Sequence, residues 1–132
     1  MPLTPPLISA VTAGILIVMQ MVLALTVALA RRRNRQSLGD GGNKDVLQAI
    51  RRHGNLAENA ALFIAGFTLM EMLGGNRTEL QSLCAAFVLG RISHAIGLSM
   101  ERTVNPFRII GITATIAVGL ALGAGLVRIG LA

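Results

Sequence analysis

Three polar residues of one predicted helix have the spacing of a binding site. Arg51, Asn55 and Glu58 stand at positions i, i+4 and i+7, so an α-helix carries all three on one face. Together they offer a guanidinium, an amide and a carboxylate, which can hydrogen-bond to groups of both charges. Gln48 extends the same stripe toward the start of the helix. The chemistry that this pattern favours is recognition of a small polar ligand.

A second polar pair, Arg91 and His94, lies one helical turn apart in an otherwise apolar segment. A charged side chain inside a bilayer costs at least about 2.5–3.5 kcal/mol on insertion scales, so it normally faces protein and is paired. Two interpretations are open. Arg51 or Arg91 pairs with Glu58 as a structural link between helices, or the polar groups together form a pocket for a zwitterionic ligand. The number of groups favours the pocket, because an ion pair needs only two.

The apolar segments that must position these residues make up most of the chain. Of its 132 residues 53% are hydrophobic and 14% charged, whereas about a quarter are charged in a soluble domain. Four segments, near residues 7–30, 46–73, 79–100 and 107–131, are long enough to cross a hydrocarbon core about 30 Å thick. They predict one domain over residues 1–132, an all-α integral membrane four-helix bundle with up-down topology. Thr78 is the predicted N-cap of the third helix.

The basic residues predict the orientation of the bundle. Seven of the twelve lie between Arg31 and Arg52, beside the first two spans, and the positive-inside rule therefore places both termini outside and this loop in the cytoplasm. The net charge of +6 does not indicate nucleic-acid binding, because the chain has no Trp or Tyr on which bases would stack. The single Cys84 and two histidines are too few for a metal cluster.

Two short motifs resemble those of a known membrane family. Residues 51–58 (RRHGNLAE) look like the R-x-x-x-N-x-x-E signature of the MAPEG family, the membrane-associated proteins of eicosanoid and glutathione metabolism. Residues 90–94 (GRISH) resemble the G-R-x-x-H segment of its third helix. The length, the four spans and the basic first loop agree with a bacterial-type member, expected in the inner membrane.

The resemblance implies a homotrimer that holds glutathione at the cytoplasmic side, between neighbouring subunits. Arg51, Asn55 and Glu58 match the second-helix residues that contact the tripeptide in such proteins. Arg91 and His94 match the Arg and His of the third-helix segment. The implied cofactor-binding set is therefore these five residues.

The same resemblance implies two catalytic positions. Arg108, at the start of the fourth helix, matches an arginine that stabilises the glutathione thiolate in several members. At the end of the first helix, Arg31 or Arg32 matches an arginine that takes part in some members. A cysteine thiol has a pKa near 8.5, and a positive charge within about 4–6 Å lowers it by roughly 1–3 units. The thiolate would then attack a lipophilic electrophile or reduce a lipid hydroperoxide.

The chain also departs from the family pattern. Leu98 stands where many eukaryotic members have a tyrosine, and Ile109 where some have a serine. Two functions follow as alternatives: a glutathione-dependent transferase or peroxidase, or a protein that binds glutathione or a lipid with little catalysis. A third, a small four-span multidrug exporter, is disfavoured because such transporters need a glutamate in span one and residues 7–30 contain no acid.

Overall fold

The structure is a bundle of four α-helices. The computed structural model describes residues 5–100 and 104–131, and the four helices are α1 (Leu7–Arg33), α2 (Lys44–Met72), α3 (Arg77–Gly97) and α4 (Pro106–Gly130). Each begins and ends within three residues of the bounds that the sequence predicts. The described residues contain no strand. The predicted all-α membrane bundle is confirmed.

The lengths and surfaces of the helices suit a bilayer. By length and apolarity, α1, α3 and α4 each suffice to cross a membrane. The fourth helix, α2, is apolar over its second half, but its first turns carry Lys44, Asp45 and the arginines at 51 and 52. Its 29 residues make it about 43 Å long at 1.5 Å per residue. Because this exceeds a core about 30 Å thick, the polar first turns extend toward the headgroups.

The helices pack as two antiparallel pairs, α1 with α2 and α3 with α4, and three phenylalanines join the pairs. Phe63 of α2 stacks on Phe87 of α3 with ring centroids 4.1 Å apart, and Phe67 meets Phe87 edge-on at 5.9 Å. Leu16 of α1 and Leu122 of α4 belong to the same buried cluster. All four helices therefore share one apolar core.

Two glycines allow α3 and α4 to approach closely. A Cβ atom at Gly97 would lie 2.6 Å from the backbone nitrogen of Arg108, and one at Gly111 would lie 2.6 Å from the Cβ of His94. Neither neighbour can move far, because each belongs to a packed helix. Any side chain at these two positions would therefore push the helices apart.

Asparagines cap three of the helices. The side chain of Asn43 accepts hydrogen bonds at the start of α2, that of Asn76 at the start of α3, and that of Asn105 at the start of α4. The prediction of Thr78 as the cap of α3 is wrong. Asn76 accepts from the backbone of Glu79 at 2.9 Å, so the helix begins two residues earlier than the threonine suggested. Both residue types are good caps, and the sequence alone does not rank them strongly.

At the opposite end of the bundle from the polar motifs, Glu71 caps the start of α1. Its carboxylate accepts hydrogen bonds from the backbone nitrogens of Ile8 and Ser9, both at 2.8 Å, and from the Ser9 hydroxyl at 2.6 Å. These nitrogens belong to the first turn of α1, which has no partner for them within the helix. A negative charge there is also stabilised by the helix dipole. Glu71 thus fixes the start of α1 to the end of α2.

Replacing Glu71 should destabilise the bundle more than replacing another carboxylate at the same end. Glu71→Gln keeps the shape but removes the charge, and hydrogen bonds to charged groups contribute about 1.5–3 kcal/mol each. We expect a clearly lower thermal unfolding temperature in detergent, followed by circular dichroism. The matched control is Glu79→Gln, whose carboxylate forms only an exposed ion pair with Arg128 at 3.2 Å. Equal losses in the two variants would contradict the capping role.

Candidate functional site

A polar pocket opens at the end of the bundle where α2 begins and α3 ends. It measures about 530 Å³. Its lining comes from α2, from α3 with the residue after it, and from α4: Ile50, Arg51, Gly54, Asn55, Glu58, His94, Leu98 and Arg108. Five of the seven predicted site residues therefore surround one space. The two others, Arg91 and Arg31, lie elsewhere.

Arg51 and Glu58 contribute free charges to the pocket. Both side chains are exposed, and within the described part of the chain neither forms a hydrogen bond or an ion pair. They stand seven residues apart on α2, a rise of about 10 Å, and no ion pair joins them. The interpretation of Glu58 as half of a structural ion pair with Arg51 or Arg91 thus finds no support. The charges remain available to a ligand.

Arg91 lies directly behind the pocket wall, 3% exposed. One of its terminal nitrogens donates to Oδ1 of Asn55 at 2.6 Å. The other donates to the carbonyl of Gly111 at 3.0 Å and to the hydroxyl of Thr115. Its guanidinium also lies 5.7 Å from the ring centroid of Phe87, within cation–π range. Among the described residues no carboxylate pairs with this buried cation.

These contacts determine how Asn55 faces the pocket. Because its Oδ1 accepts from Arg91, its Nδ2 is the end of the amide left to donate to a ligand. The same arginine connects α2 and α3 to α4 through Gly111 and Thr115. The position of Asn55 therefore depends on a contact that the ligand itself does not make.

His94 carries a buried nitrogen without a partner. The side chain is 5% exposed and lines the pocket, and its Nδ1 forms no hydrogen bond within the described residues. The imidazole also has a hydrogen bond with the backbone of Arg108. His94 therefore links the pocket wall on α3 to the start of α4.

Arg108 is placed by the turn before α4. Asn105 accepts from the backbone nitrogen of Arg108 at 3.0 Å and donates to the carbonyl of Gly97 at 2.9 Å, so it fixes the start of α4 to the end of α3. The N-terminus of a helix carries a partial positive charge, which adds to that of the guanidinium. Arg108 thus stands where a negative charge in the pocket would be stabilised.

Arg31 lies at the end of α1, which contributes no residue to the pocket wall of this chain. Its guanidinium donates to the carbonyl of Ser37 at 2.8 Å, in the loop between α1 and α2. Arg32 beside it is exposed. Neither residue reaches the pocket within a single chain.

Some residues that form or support the pocket were not predicted from the sequence. Ile50 is one of them, and it forms the apolar part of the wall together with Leu98, the residue at the family's tyrosine position. Thr115 and the Gly111 carbonyl, which receive Arg91, lie in a stripe of small residues on α4 that suggests only close helix packing. By contrast, the Asn105-Pro106 pair marks a helix start in the sequence and correctly locates the turn that supports Arg108.

Comparison with known proteins gives a consistent result. The family model described as MAPEG family matches residues 9–128. The chain is 33% identical, over 92 residues, to the Inner membrane protein YecN of Escherichia coli strain K12, which covers 69% of this chain and 70% of that protein. The protein of the same name from strain CFT073 gives the same identity and coverage. No solved structure matches the chain.

The family match takes in all four helices nearly from end to end, including both polar motifs and the pocket they line. The related bacterial inner membrane protein agrees with this membrane bundle. On the family match, this chain belongs to the MAPEG family.

Proposed function

We propose that the protein is a membrane glutathione-dependent transferase or peroxidase that acts on lipophilic electrophiles or lipid hydroperoxides. One observation carries the proposal. Arg51, Asn55, Glu58, His94 and Arg108, which come from three helices, line a single pocket of about 530 Å³. Membership of the MAPEG family supports glutathione as the ligand.

The charges of the pocket complement those of glutathione. The tripeptide carries two carboxylates and one ammonium at neutral pH. Arg51 and Arg108 supply two cations for the carboxylates or the thiolate, and Glu58 supplies an acid for the ammonium. The Asn55 Nδ2, directed by Arg91, is a donor for a peptide carbonyl. In this account Arg91 is a positioning residue that acts through Asn55.

The chemistry follows from a thiolate held near Arg108. In the transferase reaction the sulfur forms a bond to an electrophilic carbon, and the leaving group departs or a double bond is saturated with uptake of a proton. In the peroxidase reaction the sulfur attacks one oxygen of a hydroperoxide, the O–O bond breaks and the alcohol leaves. The sulfenic acid of glutathione then condenses with a second glutathione to give the disulfide and water.

The pocket also has apolar lining, which we assign to the substrate. Ile50 and Leu98 provide it, and the surrounding helices present exposed leucine and isoleucine side chains to the bilayer. A lipophilic electrophile dissolved in the membrane can thus approach the sulfur without crossing water. This arrangement favours substrates that partition into lipid.

The assembly and orientation complete the proposal. We place the pocket on the cytoplasmic side, because the basic residues 31–52 lie at the same end of the bundle, with both termini outside. The assembly is a homotrimer in the bacterial inner membrane. In it, Arg31 or Arg32 of a neighbouring subunit completes the site, which explains why these residues do not reach the pocket of their own chain.

A second candidate function is binding of glutathione or a lipid with little catalysis. The observation that favours it is Leu98, which lines the pocket and offers no hydroxyl to the sulfur. Conjugation of glutathione to a generic aromatic electrophile by the purified protein distinguishes the two functions. Turnover supports the enzyme, and binding without turnover supports the second candidate.

Loss of Arg51 should weaken glutathione binding. A charge-assisted hydrogen bond contributes about 1.5–3 kcal/mol, so Arg51→Ala should raise the dissociation constant about tenfold or more, measured by isothermal titration calorimetry. Glu58→Ala should act in the same direction. The control is Arg52→Ala, since Arg52 is the adjacent arginine, donates to Ser99 and lines no part of this pocket. If Arg51→Ala and Glu58→Ala bind glutathione as the parent does, the polar face of α2 is structural.

Loss of Arg108 should affect the thiol more than the affinity. Removing the cation makes the thiolate less favourable, so Arg108→Ala should raise the pKa of bound glutathione by roughly 1–3 units. Ultraviolet absorbance of the bound thiolate, recorded against pH, measures this value. Arg51→Ala serves as the comparison, because it should weaken binding and leave the thiol pKa nearly unchanged at saturating glutathione. An unchanged thiol pKa in Arg108→Ala would remove Arg108 from the catalytic role.

A further inference from the structure

A second and larger concavity lies at the opposite end of the bundle from the polar pocket. It is an open groove of about 590 Å³ between α1 and α3. Its apolar walls come from α1 and from α3: Leu7, Ile8, Val11, Ile15, Ala85, Val88 and Leu89. Thr12 and Cys84 form its floor, and Arg77 and Gln81 lie toward its outer end.

The polar atoms on the floor of the groove are already satisfied. The Thr12 hydroxyl donates to the carbonyl of Ile8 at 2.9 Å, and the Thr12 side chain also hydrogen-bonds with Cys84. Both residues are buried. The floor and walls therefore present apolar surface to whatever occupies the groove.

The dimensions of the groove suit an acyl chain better than a helix. Along α3 it extends from Arg77 to Leu89, about 18 Å at 1.5 Å per residue. This is close to one leaflet of a bilayer, half of a hydrocarbon core about 30 Å thick. A transmembrane helix would need a groove along the full thickness.

A cation stands where the headgroup of such a chain would lie. Arg77 is the first residue of α3, its side chain is exposed, and within the described residues it forms no hydrogen bond or ion pair. The carboxylate of Glu71 is near enough to interact electrostatically with Arg77, but the two form no ion pair, and hydrogen bonds hold that carboxylate at the start of α1. The guanidinium of Arg77 therefore keeps its donors for a phosphate at the membrane surface.

We propose that the groove between α1 and α3 is a binding site for one glycerophospholipid. One acyl chain lies on the floor formed by Thr12 and Cys84, and the phosphate is bound by Arg77. The lipid comes from the leaflet that meets the start of α1. This site shares no lining residue with the glutathione pocket. A test that rejects one of the two proposals therefore leaves the other unaffected.

A pair of variants tests the groove itself. Ala85 and Ala86 are adjacent exposed residues of α3, but only Ala85 lines the groove. Ala85→Phe should fill it and Ala86→Phe should not. The purified full chain, stripped of lipid, is titrated with phosphatidylglycerol and bound lipid is counted by native mass spectrometry. We expect the parent and Ala86→Phe to hold one lipid per chain, and Ala85→Phe to bind at least about tenfold more weakly.

A third variant tests the phosphate contact and does not depend on filling the groove. Arg77→Ala should lower the affinity for phosphatidylglycerol about tenfold, the effect of one charge-assisted hydrogen bond. Diacylglycerol, which has no phosphate, should bind the parent and Arg77→Ala equally. Because Arg77 is exposed, this variant should fold even if Ala85→Phe does not.

Three results would overturn the proposal. Equal lipid binding by Ala85→Phe and Ala86→Phe would place the lipid elsewhere. Unchanged phosphatidylglycerol binding by Arg77→Ala would remove the phosphate site. Dissociation of an oligomer by Ala85→Phe alone would show that a second copy of the chain fills the groove.

Discussion

The buried guanidinium of Arg91 is the constraint on which the site depends. Moving a charge out of water carries a large cost, and no described carboxylate offsets it. The cost is reduced by oxygen acceptors on two other helices, Asn55 on α2 and Gly111 and Thr115 on α4, and by the ring of Phe87. A neutral apolar residue would be easier to bury at this position. The arginine is therefore best understood as the group that fixes three helices, and one pocket side chain, relative to each other.

The rest of the bundle makes these contacts possible. Gly111 brings α4 close enough for its carbonyl to accept from Arg91, and a Cβ there would collide with His94. Asn105 fixes the turn between α3 and α4 at the pocket end, while Glu71 fixes α1 to α2 at the other. With the backbone held in this way, Arg51 and Glu58 can remain unpaired. Unpaired charges beside a rigid scaffold are typical of a binding site rather than of a structural network.

The sequence predicts the helices and one face of the site because both depend on local pattern. Charge-free runs determine the spans, and the spacing of Arg51, Asn55 and Glu58 places them on one face whatever the packing. The partners of Arg91 depend instead on how α3 meets α4, since a backbone carbonyl leaves no signature in a sequence. Glu71 lies near a helix end with no local partner in the sequence pattern, and its capping role follows only from the packing that brings the start of α1 beside it. Asn76 and Thr78 compete as caps within three residues, a choice that local propensity does not decide.

The central claim is that Arg91 serves glutathione binding through Asn55, and a double-mutant cycle tests it most directly. Glutathione affinity is measured by calorimetry for the parent, Asn55→Ala, Arg91→Gln and the double variant, with folding verified by circular dichroism. If Arg91 acts through Asn55, each single change weakens binding, and the double variant is little weaker than Asn55→Ala alone. The coupling should then lie in the range of about 0.5–3 kcal/mol found for contacting residues. Additive losses would show that Arg91 acts independently of Asn55 and would contradict this account.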